Sequence, residues 1–184
     1  MGPFTSFAVH PEGIKFETQE SDEEVVLFLR QHLVMLAPTA LLGIVMLLAP
    51  PVLLPFFFRF LELPFVVPGT YVVVGTVLWY VMTFGVVLAQ FLHWFFNIYV
   101  VTNERLVDID FVNLLYKEFS EARLEKIQDV SFTSRGLLAA TFNFGNVKVQ
   151  TAGEQPNFTF DAVPDPDEVV RTISELAQKV KGTI

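Results

Sequence analysis

The side chains able to do chemistry are few in this chain, and they are scattered. Histidine occurs at positions 10, 32 and 93 and cysteine is absent. Without cysteine there are no disulfides, thiolate metal sites or thiol nucleophiles. None of the three histidines has metal-ligand spacing, and residues 97–184 contain no histidine at all. No Gly-x-Ser-x-Gly, Walker loop or dinucleotide fingerprint is present. Asp129 beside Gln128 reads as an outward strand acid with no second carboxylate to make an acid–base pair. Thr102-Asn103-Glu104-Arg105 has polar groups in the right order to fix a turn and its outer face rather than to catalyse. The acids Glu20, Asp22, Glu23 and Glu24 could bind a cation or a basic partner, but a helix start accounts for them better. The expectation is a protein with no catalytic, cofactor-binding or metal-binding residue: not an enzyme, and with no cofactor.

The elements that must carry these residues are set by an uneven charge distribution. Charged residues make up 17% of the chain, against roughly 25% in soluble domains. Apart from His32 and His93, no ionisable acid or base lies between Arg30 and Arg59 or between Glu62 and Glu104. Two apolar stretches result, about 33–54 and 70–92, each near the roughly 20 residues needed to cross a bilayer. The link between them, with Pro55, Pro64 and Pro68, is too short for a domain. The two spans are therefore expected to be antiparallel neighbours, with both termini on one side of a cell membrane. Pro50 and Pro51 should bend or end the first helix. Thr39-x-x-x-Gly43 and Gly85-x-x-x-Ala89 offer small faces for close approach. Arg30, Arg59, Tyr71, Trp94 and Tyr99 are the expected membrane-interface residues, with Phe56, Phe57, Phe58, Phe60 and Phe65 in the far interface. Lys15, Arg30 and Arg105 against Arg59 alone favour cytoplasmic termini in the inner, or plasma, membrane. The lack of Asp, Glu, Lys or Arg within either span weighs against an ion pathway, a transporter or an intramembrane protease. On this topology His32 and His93 share one interface and could form a pH-sensitive pair.

Residues 1–20 show no period and read as a flexible arm. Ser21-Asp-Glu-Glu24 has the form of a capping box, which predicts a pre-membrane helix running through Val25–Arg30 into the first span, so that 21–96 form one helical segment. From Asn97 the period changes to two. Strands are predicted at 97–102, 106–111 (Val107, Ile109 and Phe111 inward, Asp108 and Asp110 outward), 115–121, 127–133 (Gln128, Val130 and Phe132 on one face), 145–151 and 158–162. Residues 134–140 are a connector with one helical turn, and 152–156 a hairpin loop. Asp165 as N-cap, Pro166 at N1 and Glu168 open a last helix whose stripe of Val169, Ile173, Leu176 and Val180 must cover something.

Tyr99-Val-Val-Thr-Asn-Glu-Arg-Leu106, Ile127-Gln-Asp-Val130 and Gly145-Asn-Val-Lys-Val149 follow one another in an order that resembles the membrane-flanked bacterial PH-like (pleckstrin-homology-like) family. The resemblance implies an α+β membrane protein: a two-helix transmembrane hairpin followed, over 97–184, by a PH-like antiparallel barrel or sheet of six to seven strands with a C-terminal helix. It further implies a scaffolding or self-associating module. The first hairpin carries Arg105 between Glu104 and Asp108, so phosphoinositide binding is not carried over. Net charge is −8, which disfavours nucleic acid. The expected partners are the membrane itself and either a protein or further copies of the chain. A lipid-binding sensor, with Phe142, Phe144, Phe158 and Phe160 lining a cavity, and an accessory subunit of a membrane complex are the alternatives.

Overall fold

The computed structural model describes residues 5–11, 19–20, 22–60, 67–113, 116–152 and 157–182. Its elements, in chain order, are β1 (Phe7–Val9), β2 (Val25–Arg30), α1 (Ala37–Phe60, preceded by a 3-10 turn at Leu33–Leu36), α2 (Gly69–Phe96), β3 (Ile98–Thr102), β4 (Arg105–Asn113), β5 (Tyr116–Arg123), β6 (Ile127–Thr133), α3 (Leu137–Phe142), β7 (Phe144–Thr151), β8 (Phe158–Pro164) and α4 (Pro166–Lys181). The chain divides into two compact units, one made of Met1–Met35 with His93–Ile184 and the other of Leu36–Leu92.

In the first unit β1 to β5 form one antiparallel sheet in sequence order, and β6 to β8 form a second. Leu27, Leu29, Val101 and Leu106 of the larger sheet share a core with Val147, Val149, Phe158 and Phe160 of the smaller, and Val169, Ile173 and Ala177 of α4 complete it. Phe28, Val100 and Val107 alternate with these core residues along their strands. They therefore face the opposite side of the sheet, where they form a second apolar cluster with Val25. The α4 stripe is thus accounted for: it covers the core, with Leu176 and Val180 packed at its margin. Asp165 precedes the helix as expected but does not cap it through its side chain. Its φ is 45°, its carbonyl accepts the Glu168 and Val169 amides, and its carboxylate accepts Asn143 Nδ2 at 2.6 Å.

Several expectations are corrected. Residues 25–30 are a fully buried strand, not a helix leading into the first span. Val-Val-Leu-Phe-Leu is β-branched and aromatic, and with both faces covered it has no reason to alternate. Phe7–Val9, within the supposed flexible arm, pairs with β2 as an edge strand. The β-domain accordingly does not begin at residue 97: it takes strands from both sides of the helical pair, and its two sheets are not closed into a barrel. Six strands follow the helical pair, as expected, and two more precede it among the described residues. A bulge between Ile127 and Asp129 puts Ile127, not Gln128, on the face shared by Val130 and Phe132, and Phe132, opposite Val147, stands 43% exposed. Ser21, Phe65, Pro64, Leu115, most of the 152–156 loop, and the side chains of Asp110 and Phe111 lie outside the described residues.

In the second unit α1 and α2 are long and apolar enough to cross a membrane, and only a few of their side chains are buried. With the 3-10 turn, the first run spans Leu33–Phe60. At 1.5 Å per residue its 28 residues would extend about 42 Å. The pair is antiparallel: residue 43 meets 87, 46 meets 79 and 47 meets 80. Gly43 lies at the close approach, since a Cβ there would be 3.1 Å from Val87 Cγ2, whereas nothing lies within 4 Å of a Cβ at Gly85. Of the two small-residue faces, only the first therefore meets its neighbour at the glycine. Of the two outcomes expected at Pro50 and Pro51, ending the helix is not what happens: both lie inside α1, as does Pro55, expected in the link. Pro50 and Pro51 lack the N–H groups that would bond the carbonyls of Met46 and Leu47. Trp79 Nε1 donates to Met46 O at 2.8 Å and the Tyr80 hydroxyl to Leu47 O at 3.3 Å, so α2 supplies the donors that α1 has lost.

Candidate functional site

The most highly connected polar group in the described structure is the β3–β4 turn at Thr102-Asn103-Glu104-Arg105. Thr102 is fully buried, and its Oγ1 accepts the Arg105 and Glu104 amides at 3.0 and 3.2 Å, which shapes the turn. The same hydroxyl donates to Glu23 Oε1 at 2.7 Å. Arg105 grips both oxygens of that carboxylate, Nε to Oε1 and Nη2 to Oε2, each at 2.9 Å, while Nη1 reaches Glu121 Oε2 at 2.7 Å. Asn103 completes the clamp. It accepts the Glu24 amide on Oδ1 at 2.9 Å, donates its own amide to Glu24 O, and donates Nδ2 to Asp22 O. The turn motif thus ties the chain leading into β2 onto the sheet. Burial by itself raises the Glu23 carboxyl. The bonds from Arg105, Thr102 and the Glu20 backbone outweigh it, and the net direction is down, while Glu23 holds the Arg105 guanidinium above its ordinary value. A cleft of about 470 Å³ lies beside the clamp, with Glu104, Glu121, Arg123, Glu125 and Lys126 among its lining residues.

Little in the sequence marks Glu23 as the partner of Arg105. Its acidic run looks like a helix start, and the only available signal was that two strong donor groups in one turn need an acceptor. The cation-binding alternative for Glu20–Glu24 loses Glu23 to this internal pair. Among the described residues no group of three or more His, Asp or Glu could hold a metal ion.

A second cluster lies where the chain leaves and re-enters the first unit. Arg30 pairs with Ile98 across β2 and β3, so the departure and return points are neighbours on one sheet. The Arg30 guanidinium is buried over the rings of Phe95 (4.6 Å), Trp94 (5.5 Å) and Phe28 (5.6 Å), and burial lowers its pKa. Trp94, only 2% exposed, donates Nε1 to Gln31 O at 2.9 Å. Next in the chain, His32 donates its amide to Ala162 O at 2.7 Å and accepts the Val34 amide on Nδ1 at 3.1 Å. Its ring stacks on Phe144 at 5.3 Å and lies 6.2 Å from Phe142. Burial lowers the His32 pKa against an opposing pull from Asp165.

The five expected interface residues therefore divide. Arg59 is exposed in the last turn of α1, and Tyr71 is exposed in the first turn of α2. Arg30 and Trp94 are buried against each other. Tyr99 is buried within the domain: it is 5% exposed, stacked on Phe160 at 4.7 Å, with its hydroxyl accepting the Asp161 amide, and burial raises its pKa. The four phenylalanines do not line one cavity either. Phe158 and Phe160 are core, Phe144 is half-buried against His32, and Phe142 is exposed.

No curated protein matches the sequence. Among solved structures, the chain is similar to a DUF1696-family protein with a pleckstrin-homology domain from Shewanella loihica PV-4. Identity is 19% over 44% of this chain and 70% of that one, with a TM-score of 0.36. The model of the bacterial PH domain family matches residues 32–177, from the apolar helices through the body of α4. With the greater part of its length matched, the chain belongs to the bacterial PH domain family.

Proposed function

We propose that the protein is a non-catalytic, membrane-anchored interaction module. In this reading α1 and α2 cross the inner membrane of a bacterial cell as a hairpin, with both termini cytoplasmic, and the PH-like domain binds a protein partner or a second copy at the membrane surface. A PH-like domain suggests an interaction module. The observation that carries the membrane part is the outward display of large apolar side chains along both helices, among them Leu41, Leu48, Val52, Val77, Met82 and Phe84. Such surfaces are costly in water and are satisfied in lipid. Interior polar groups such as Thr76 and Thr83 are bonded to their own helix, as the bilayer core demands.

Two measurements test the reading. After alkaline carbonate extraction the chain should remain with the membrane pellet, and release into the supernatant would end the anchoring half. Crosslinking in native membranes followed by mass measurement should give a product larger than one chain. A strictly monomeric, partnerless product would end the interaction half. The same experiment separates self-assembly from an accessory role, because only the latter captures a different membrane protein.

A further inference from the structure

Among the described residues of the β-domain, the six-residue helix α3 carries the most exposed apolar side chains. Leu137 is 88% exposed, Leu138 61% and Phe142 48%, while Ala139 alone is buried and pins the helix to the sheet. Nothing in the domain's own packing calls for leucine at the first two positions, and patches of this kind mark a surface meant to be covered. Its location says by what. Phe142 lies against His32, whose neighbour Leu33 is the first residue of the first apolar run. Leu33 and Met35, in the 3-10 turn that follows, are likewise exposed. The patch therefore sits beside the point at which the chain turns apolar. Arg135 and Lys148, both exposed, line one shallow cleft of about 210 Å³ next to α3. Cations at the margin of an apolar patch suit the boundary between lipid phosphates and acyl chains. No carboxylate is among the residues lining that cleft, and Asp165 and Asp161 accept bonds from Asn143 and Asn146.

We propose that α3 is a second, shallow membrane contact. Leu137, Leu138 and Phe142 insert into the headgroup–acyl boundary of the leaflet that the first apolar helix enters at Leu33, with Arg135 and Lys148 against the lipid phosphates. The inference rests on the reading of α1 and α2 as membrane spans.

The absence of cysteine allows single labels without background. Leu138→Cys, Leu48→Cys in α1 and Glu175→Cys on the exposed face of α4 are each labelled with an environment-sensitive fluorophore. The full chain is then reconstituted in phosphatidylcholine–phosphatidylglycerol vesicles containing lipids spin-labelled near the headgroup or deep in the acyl chain. The proposal requires blue-shifted emission at 138 with a greater loss of intensity to the shallow quencher, strong quenching by the deep one at 48, and neither effect at 175. Quenching at 48 with position 138 behaving like 175 overturns the proposal and leaves the hairpin standing. No quenching at 48 overturns the hairpin and the proposal together. A blue shift at 138 without lipid quenching means that protein, not lipid, covers α3, and also overturns it.

Discussion

At the scale of single residues, the Glu23–Arg105 pair is the polar feature on which most depends. Glu23 is out of contact with water and its carboxylate receives four bonds, from Arg105 twice, Thr102 and the Glu20 amide. Glu23→Gln removes the charge but leaves Arg105 mostly buried, with its ion pair to Glu121 still in place. Breaking a buried pair from one side costs about 3–5 kcal/mol, and the exposed Glu121 should soften this to about 2–3. Urea unfolding of the detergent-solubilised protein reads it, and a variant within a few tenths of the parent would show the clamp to be incidental. Because the folded-state pKa of Glu23 is depressed, the unfolded chain binds the proton more readily. The contribution is complete above the ordinary glutamate value of ~4.3 and is lost as pH falls through the lower folded value. His32 behaves with the same sign at higher pH. Its folded pKa lies below ~6.5, and its neutral Nδ1 accepts the Val34 amide, which an imidazolium could not do. The protection of the Val34 and Met35 amides, taken relative to intrinsic exchange at each pH, should therefore fall as pH drops below about 6.5, and His32→Asn should abolish that dependence.

At the scale of elements, the helical pair holds a testable exchange of hydrogen bonds. If Trp79 replaces the donor that Pro50 withholds from Met46, Trp79→Phe should cost about 0.6–1.7 kcal/mol, the range for interhelical bonds in bilayers. Tyr80→Phe should cost less, its bond being longer. The cost at 79 should shrink in a Pro50→Ala background, where the helix has its own donor again. A double-mutant cycle of unfolding in mixed micelles measures the coupling, and additivity would dissolve it. The same prolines show where sequence reading stops. A local rule says that Pro50 and Pro51 end the helix, whereas the compensation comes from a different helix. The later elements were legible because each states itself locally: β3, β7, β8 and α4 fall within one or two residues of their predicted bounds through alternation, turn residues or an apolar stripe. By contrast, β2 is apolar on both faces and follows an acidic segment that imitates a helix start. Its partner β3 lies beyond both helices, so no local period could announce the pairing. The clamp was half legible for the same reason: Thr102, Asn103 and Arg105 form a visible motif, but Glu23 stands 82 residues from Arg105.

At the scale of the whole molecule, the helical pair is an insertion into a β-hairpin, because β2 and β3 pair directly while everything from α1 to α2 lies between them. Residues 97–184 are therefore an incomplete domain. Leu27 and Leu29 are fully buried in the main core, and Val25, Val26 and Phe28 nearly so. At about 1.5–3 kcal/mol for each large apolar side chain buried, β2 contributes on the order of 10 kcal/mol before its strand bonds are counted. That is as large as the whole net stability of a typical domain, about 5–15 kcal/mol. A chain of residues 97–184 alone should thus fail to fold cooperatively and should expose apolar surface to a dye such as ANS. The insertion also supplies the remedy. Arg30 and Ile98 face each other in register, so replacing residues 31–97 by Asn-Gly closes a two-residue hairpin of the favoured type. Arg30 loses Trp94 and Phe95 in that chain, so it is changed to Thr, a residue suited to a strand. The joined chain should be soluble and show a single thermal transition, with dispersed amide resonances for β2. If the 97–184 fragment folds as well as the joined chain, β2 is an accessory strand and the domain begins where its sequence motifs do.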